Sequence, residues 1–234
     1  MNEIKEKFAG IYPATITPFT SDNKINADAM LTLMRRNLNE GAKGLFIGGS
    51  SAECFLLTPE ERKQTYEIAS ELKGETNLIA HVGAISTDQA IDYALCAKAM
   101  GFDAIAATPP FYYGFDSASV CQYYYDIYEA VKMPVIIYNF PGNTGREFNL
   151  SDPKYRDLFQ SPAIMGVKHT NQVVYQLERI RNLDHSLVVF NGFDETMVAG
   201  LALGADGSVG STFNFMLPHY KLIFDTYKKK ELEL

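Results

Sequence analysis

Residues 164–170 read Ile-Met-Gly-Val-Lys-His-Thr, an apolar run that turns polar at Lys168. Such a run fits a short strand that is buried along its length and emerges at a rim. A lysine is seldom buried unless something specific holds it there. Its amine attacks a carbonyl only when neutral, and desolvation or a neighbouring cation favours that form. Taken alone, Lys168 reads first as a surface lysine at a strand end; the remainder of the chain reverses that order.

Working outward, seven further short apolar stretches repeat the pattern, at 11–19, 44–49, 78–82, 104–107, 134–138, 187–190 and 208–210. Helical patterns separate them. Thr58-Pro59-Glu60-Glu61 offers a capping hydroxyl, a proline for the first turn and a glutamate three residues on, which together start a helix. Asn26 or Asp28 caps the helix before it, Ser86-Thr87-Asp88 opens the one after it, and a last helix runs from about Pro218 towards Lys230. Strands alternating with helices predict parallel βαβ units. Eight units predict a closed (β/α)8 TIM barrel, a fold of ~250 residues, as one domain over 1–234. A doubly wound sheet would carry a glycine-rich turn after the first strand, and Ile16-Thr17-Pro18-Phe19 is not one.

Composition narrows the function. The 234 residues are 47% hydrophobic, and 28 acidic residues against 21 basic ones give a net charge of −7. No basic run tracks a phosphate backbone, so nucleic acid is not a predicted partner; Lys228-Lys229-Lys230 reads as a solvated helix face. Cys54, Cys96 and Cys121 are too few and too scattered for a disulfide framework or a zinc site. Residues 1–7 are charged and lack the apolar segment of a signal peptide. No apolar run approaches the ~20 residues that span a bilayer, so no membrane partner is predicted and the cytoplasm is the default. His81, His169, His185 and His219 share no ligand spacing, and none is assigned to a metal.

In a barrel, chemistry sits where strands end and helices begin. Gly48-Gly49-Ser50-Ser51-Ala52-Glu53 follows the second strand; its backbone N–H groups and hydroxyls suit a carboxylate or phosphate, and it reads equally as a plain turn. Tyr138 ends the fifth strand and can relay a proton, or be a core tyrosine, one of 14. The sixth supplies Lys168 and Thr170. Gly192-Phe193-Asp194-Glu195 ends the seventh; its acids can bind a metal or hydroxyls, or start a helix. Residues 204–212, with Ser211 and Thr212, form the eighth, where many barrels bind phosphate.

Gly-Gly-Ser-Ser-Ala-Glu (48–53), Tyr-Asn-Phe-Pro-Gly-Asn-Thr-Gly (138–145), Gly-Val-Lys-His-Thr (166–170), Gly-Phe-Asp-Glu (192–195) and Gly-Ser-Val-Gly-Ser-Thr (207–212) resemble the pyruvate-dependent class I aldolases. That superfamily contains the dihydrodipicolinate synthases and the N-acetylneuraminate lyases, and the likeness runs over essentially the whole chain. Lys168–Thr170, Gly192–Glu195 and Gly210–Asn214 look most like the lyases. Asn143 stands where the synthases generally carry an arginine for a second substrate.

The resemblance implies reversible cleavage of N-acetylneuraminate to pyruvate and N-acetylmannosamine. Lys168 would form the Schiff base and Tyr138 would move the proton. Ser50 and Ser51 would hold the substrate carboxylate. Thr170, Gly192, Asp194, Glu195 and Ser211 would bind the polyhydroxyl tail. No cofactor or metal is implied, the substrate is a small 2-keto sugar acid, and the chain would be a homo-oligomer, a tetramer. The alternatives are dihydrodipicolinate synthase, a 2-keto-3-deoxy sugar acid aldolase, or a non-catalytic sugar-acid binder. Two departures carry expectations. The family usually has glycine where this chain has Ala52; if that position needs positive φ, Ala52 is strained by about 1 kcal/mol or more. The family also continues through a C-terminal helical extension that this chain lacks. Leu217, Leu222, Ile223, Phe224 and Tyr227 on the last helix would then exceed one buried face, and exposed apolar surface favours association.

Overall fold

The computed structural model describes residues 3–230; Met1 and Asn2, part of the stretch read for a signal peptide, and the last four residues of the predicted 1–234 domain lie outside the described residues. The apolar stretches become eight parallel strands: β1 (Ile11–Pro13), β2 (Gly44–Ile47), β3 (Asn77–His81), β4 (Ala104–Ala107), β5 (Val135–Asn139), β6 (Ile164–His169), β7 (Val188–Asn191) and β8 (Gly207–Gly210). They are ordered β1-β8-β7-β6-β5-β4-β3-β2, and a parallel bridge between Ala14 and Phe46 closes the ring. The predicted (β/α)8 barrel is therefore present. The first strand is shorter than its apolar stretch, because Pro13 and Pro18 limit backbone donors around it.

Helices cover the outside: α1 (Glu3–Phe8), α2 (Ala27–Asn39), α3 (Pro59–Ser70), α4 (Thr87–Ala99), α5 (Ser117–Val131), α6 (Pro141–Thr144), α7 (Pro153–Phe159), α8 (Tyr175–Leu183), α9 (Met197–Ala202) and α10 (Phe213–Lys229). The predicted caps form. Thr58 accepts from the Glu61 N–H while Glu61 accepts from the Thr58 N–H, and Asn26, not Asp28, caps α2. The sequence did not predict α1 or α6, which at six and four residues are too short to show a period.

Alternation along each strand builds two apolar layers. One set, including Tyr12, Phe46, Ile136, Met165, Val188 and Phe190, fills the barrel, and Phe8 from α1 joins it from the end where the strands begin. The other set packs the strands against the helices. Met165 and Lys168 are three residues apart, yet both face inward. A register shift opposite Val135 and Ile136 absorbs the extra residue. Lys168 thereby pairs with Tyr138 on one side and Phe190 on the other.

The last helix begins at Phe213, five residues before the predicted proline start, and Met216 interrupts it with φ −125° and ψ 18°. Pro218 has no N–H to give the carbonyl of Asn214. The Arg36 guanidinium of α2 donates to that carbonyl instead, tying the last helix to the first long one. On α10, Leu217 is buried and Ile223, Phe224 and Tyr227 rest against the core, whereas Leu222 and Phe215 are exposed at 67% and 69%.

Arg181 of α8 is buried, donates to the carbonyls of Leu187 (2.7 Å) and Gly204 (3.0 Å), and pairs with Asp206. Asp206 also accepts from the Val189 N–H at 2.9 Å and lies 3.3 Å from Lys5 of α1. Removing one partner of such a pair leaves a buried charge without compensation. Arg181→Met is expected to lower unfolding free energy by about 3 kcal/mol in urea titrations; a loss below about 1 kcal/mol would show that the pair does not hold α1 and α8 to the barrel.

Candidate active site

The site lies where the strands end. The loop after β2 leaves the barrel at Gly48, whose φ of +69° suits glycine, and continues as a 3-10 turn over Ser50–Ala52. Ala52 is fully buried inside that turn and does not have positive φ; Glu53 takes the left-handed conformation instead, at φ 55° and ψ 33°. The condition for strain at Ala52, a positive φ, is thus not met, and the left-handed residue of this turn is Glu53. The Thr17 hydroxyl donates to the Ala52 carbonyl at 2.9 Å and steadies the loop.

Lys168 is 4% exposed, its Nζ 3.6 Å from the centroid of the Tyr138 ring and 5.2 Å from that of Phe46. Among the described residues no carboxylate is within ion-pair distance of it. The amine therefore lies against aromatic faces. The Tyr138 hydroxyl lies 3.3 Å from Ser50 Oγ. Phe140 stacks on the Tyr138 ring at 5.8 Å, and Phe46 and His81 meet it edge-on. Amine, phenol and serine hydroxyl form one continuous wall.

The rim joins the two loop groups. Ser51 Oγ and Ser211 Oγ are 2.5 Å apart. Asp194 accepts from the N–H groups of Ser211 (3.2 Å) and Thr212 (2.6 Å) and from the Thr212 hydroxyl (2.5 Å). Its carboxylate thus braces the loop after β8, a role that residue type alone did not reveal for a predicted tail-binding group. Thr170 is buried, and its hydroxyl has no partner among the described residues. A side chain on Gly192 would collide with that hydroxyl, so only glycine fits beside it. Glu195 stands exposed at the mouth. All nine predicted residues fall at this end of the barrel.

Two groups that the sequence did not assign to the site also stand there. His81 ends β3 facing inward, and Arg62 of α3 lies behind it, 2% exposed. A histidine two residues after inward Ile79, and an arginine in step with buried Tyr66 and Ala69, were the available signals. Burial, then the Arg62 and Lys168 cations, hold His81 well below the ordinary histidine value of 6.5, against the opposing Gly48 carbonyl. Burial also lowers His169, opposed by the Val173 carbonyl and Glu147; its Nδ1 accepts from Asn139 at 3.0 Å, outside the reacting groups.

A buried lysine at the end of β6, with a tyrosine ring against it and no carboxylate beside it among the described residues, suits carbonyl chemistries that pass through an amine adduct. The comparisons agree. Residues 7–234 match the Dihydrodipicolinate synthetase family, and the chain belongs to that family. It is 39% identical over 209 residues to the N-acetylneuraminate lyase of Citrobacter koseri, covering 88% of this chain and 70% of the relative. A Clostridium difficile protein solved in complex with mannosamine superposes with a TM-score of 0.92 at 37% identity, covering 96% of this chain and 77% of that one. The N-acetylneuraminate lyase of Fusobacterium nucleatum complexed with pyruvate gives 0.89 at 35% identity, covering 97% and 77%.

Unfolding frees both buried imidazoles to bind protons below about pH 6.5. Both folded values are depressed, so stability is complete above that pH and declines as pH falls below it. Each histidine contributes at most about 1.4 kcal/mol per pH unit. Urea unfolding at pH 7.5 and pH 5.5 (about two units apart) should give the lower stability at acid pH; equal values would mean the imidazoles are not held neutral.

Proposed function

We propose that this chain is a Schiff-base (class I) aldolase that reversibly cleaves N-acetylneuraminate to pyruvate and N-acetylmannosamine. The observation that carries the reading is the Lys168 amine, buried against the Tyr138 ring with no carboxylate beside it among the described residues. Once deprotonated, it attacks the C2 ketone of the open-chain sugar acid; water leaves and a protonated imine forms. That imine draws the electrons of the C3–C4 bond as it breaks. The Tyr138 hydroxyl accepts the C4 hydroxyl proton while passing its own to the substrate carboxylate. The aldehyde product departs, the proton held on the carboxylate moves to C3 of the enamine, and water hydrolyses the adduct to pyruvate and free Lys168.

The substrate carboxylate is assigned to Ser50, Ser51 and the N–H groups of their loop, since Ser50 already touches Tyr138. The tail is assigned to Thr170, Gly192, Glu195 and Ser211, with Asp194 holding Ser211 in place. Asn143 lines the cavity of about 280 Å³ beside Ser50; without an arginine there, a second carboxylate substrate has no partner, which favours the lyase over the synthase. The same reading takes the enzyme as cytoplasmic and as a homo-oligomer, a tetramer. Exposed Leu222 and Phe215 support assembly. Among the described residues no helix is long and apolar enough to cross a membrane.

Borohydride with pyruvate is expected to leave a reduced pyruvyl group on Lys168, located by peptide mass mapping; a label on another lysine would sink the assignment. Tyr138→Phe should still trap pyruvate yet lose ~10²–10⁴-fold in cleavage of N-acetylneuraminate, the usual worth of a general acid–base group. Near-normal turnover in that variant would mean another group moves the proton.

A further inference from the structure

His81 takes no step in the aldol chemistry, yet it is fully buried in the wall that carries the chemistry. Its Nδ1 is 2.8 Å from the Gly48 carbonyl oxygen and its Nε2 is 3.4 Å from the Thr108 backbone nitrogen. One tautomer satisfies both contacts. Nδ1–H donates to Gly48, and bare Nε2 accepts from Thr108. The other tautomer would set a lone pair against a carbonyl and one N–H against another. The ring also meets Tyr138 edge-on at 5.4 Å and stacks near Phe46 at 6.2 Å.

The backbone of His81 is held just as firmly. Its carbonyl accepts from Arg62 at 2.7 Å and from the Tyr66 hydroxyl at 2.5 Å. Arg62 is a buried cation with no carboxylate within ion-pair distance among the described residues. The Tyr93 ring lies 4.4 Å from its guanidinium carbon; its Nη2 sits 3.2 Å from His81 Nδ1 but gives its N–H to the His81 carbonyl at 2.7 Å, leaving Nδ1–H for the nearer Gly48 oxygen. The titratable and charged groups that face the imidazole are Cys54 from the β2 loop, Arg62 and Tyr66 from α3, Tyr138 from β5 and Lys168 from β6. None is a carboxylate. A second positive charge between Arg62 and Lys168 is opposed from both sides, so the ring stays an uncharged donor.

We propose that His81 is a positioning residue for the carboxylate loop: as a neutral imidazole clamped by Arg62, it pins the Gly48 carbonyl and so aims the N–H groups and hydroxyls of residues 49–51 at the substrate carboxylate. This rests on the pyruvate-binding role proposed above for that loop. Gly48 is where the chain turns out of the barrel with positive φ, so rotation of its peptide would redirect the donors that follow it.

The test compares His81→Leu, which loses the donor, with His81→Asn, whose amide restores an N–H near Nδ1. Pyruvate concentration is varied in the borohydride trap, and KM and kcat are measured for N-acetylneuraminate cleavage. His81→Leu should raise half-saturating pyruvate and KM about tenfold, the equivalent of one net hydrogen bond, with a smaller change in kcat. His81→Asn should recover most of that loss. Should His81→Leu not fold, nitrogen NMR of the wild-type imidazole decides: Nδ1 protonated and Nε2 bare from about pH 8 to about pH 5.5 is expected. Unchanged saturation in folded His81→Leu, or an imidazole protonated at Nε2, would overturn the proposal. A wild-type chain that traps no pyruvate would instead overturn the aldolase reading, and the NMR measurement would still decide whether His81 pins Gly48.

Discussion

The constraint on which the rest of the structure depends is a lysine head group inside a barrel whose described residues offer it rings and no acid. Nζ of Lys168 lies over Tyr138 and near Phe46, so its aim depends on the strands that carry the amine and the rings. Strands β5 and β6 supply that fixity through five paired positions that end at Tyr138–Lys168 and Asn139–His169. The register shift near their start turns Lys168 inward. Had β6 slipped by one residue, Val167 would face the site and the amine would point at the helices.

Much of this was legible in the sequence. Parallel strands buried on both faces are short and continuously apolar, so the eight stretches and their order stood out. Lys168 and Tyr138 could be placed at the ends of neighbouring stretches for the same reason, although taken alone they read as a surface lysine and a core tyrosine. Roles that depend on which groups meet across the barrel were not legible. Asp194 looked like a ligand for hydroxyls, and its partners turn out to be Ser211 and Thr212, some seventeen residues on. Ala52 would have been strained had its position needed positive φ, but in this turn the left-handed residue is Glu53. Arg62 and His81 lie on a helix and a strand nineteen residues apart, and their contact is a product of the closed barrel.

Pro218 shows a local rule that acts at long range. Read from the sequence, it marks a helix start. In the structure the helix begins earlier, bends at Met216, and leaves the Asn214 carbonyl without an internal donor. Arg36 uses that vacancy to join α2 to α10, and the Asn214 amide donates to Ala14 at 2.8 Å. A residue that breaks one hydrogen bond of a helix thus supplies an acceptor for the junction between the first and last repeats of the barrel.

That junction divides the barrel unevenly. Between β5 and β6 the ladder is long, whereas β1 and β2 meet at the bridge of Ala14 and Phe46 and through the Lys43 N–H, which donates to the Ile11 carbonyl at 2.9 Å. The strand that delivers Ser50 and Ser51 is therefore laddered more fully on its β3 side, and its loop is tied by side chains: Thr17 to Ala52, Ser51 to Ser211, and His81 to Gly48. The amine and the loop that faces it are supported by different means. Substitutions among those few side chains can re-aim the loop without disturbing the ladder that holds Lys168. A barrel built this way can change what it grips while keeping how it reacts, with the adjustable part confined to the seam where the ring of strands is thinnest.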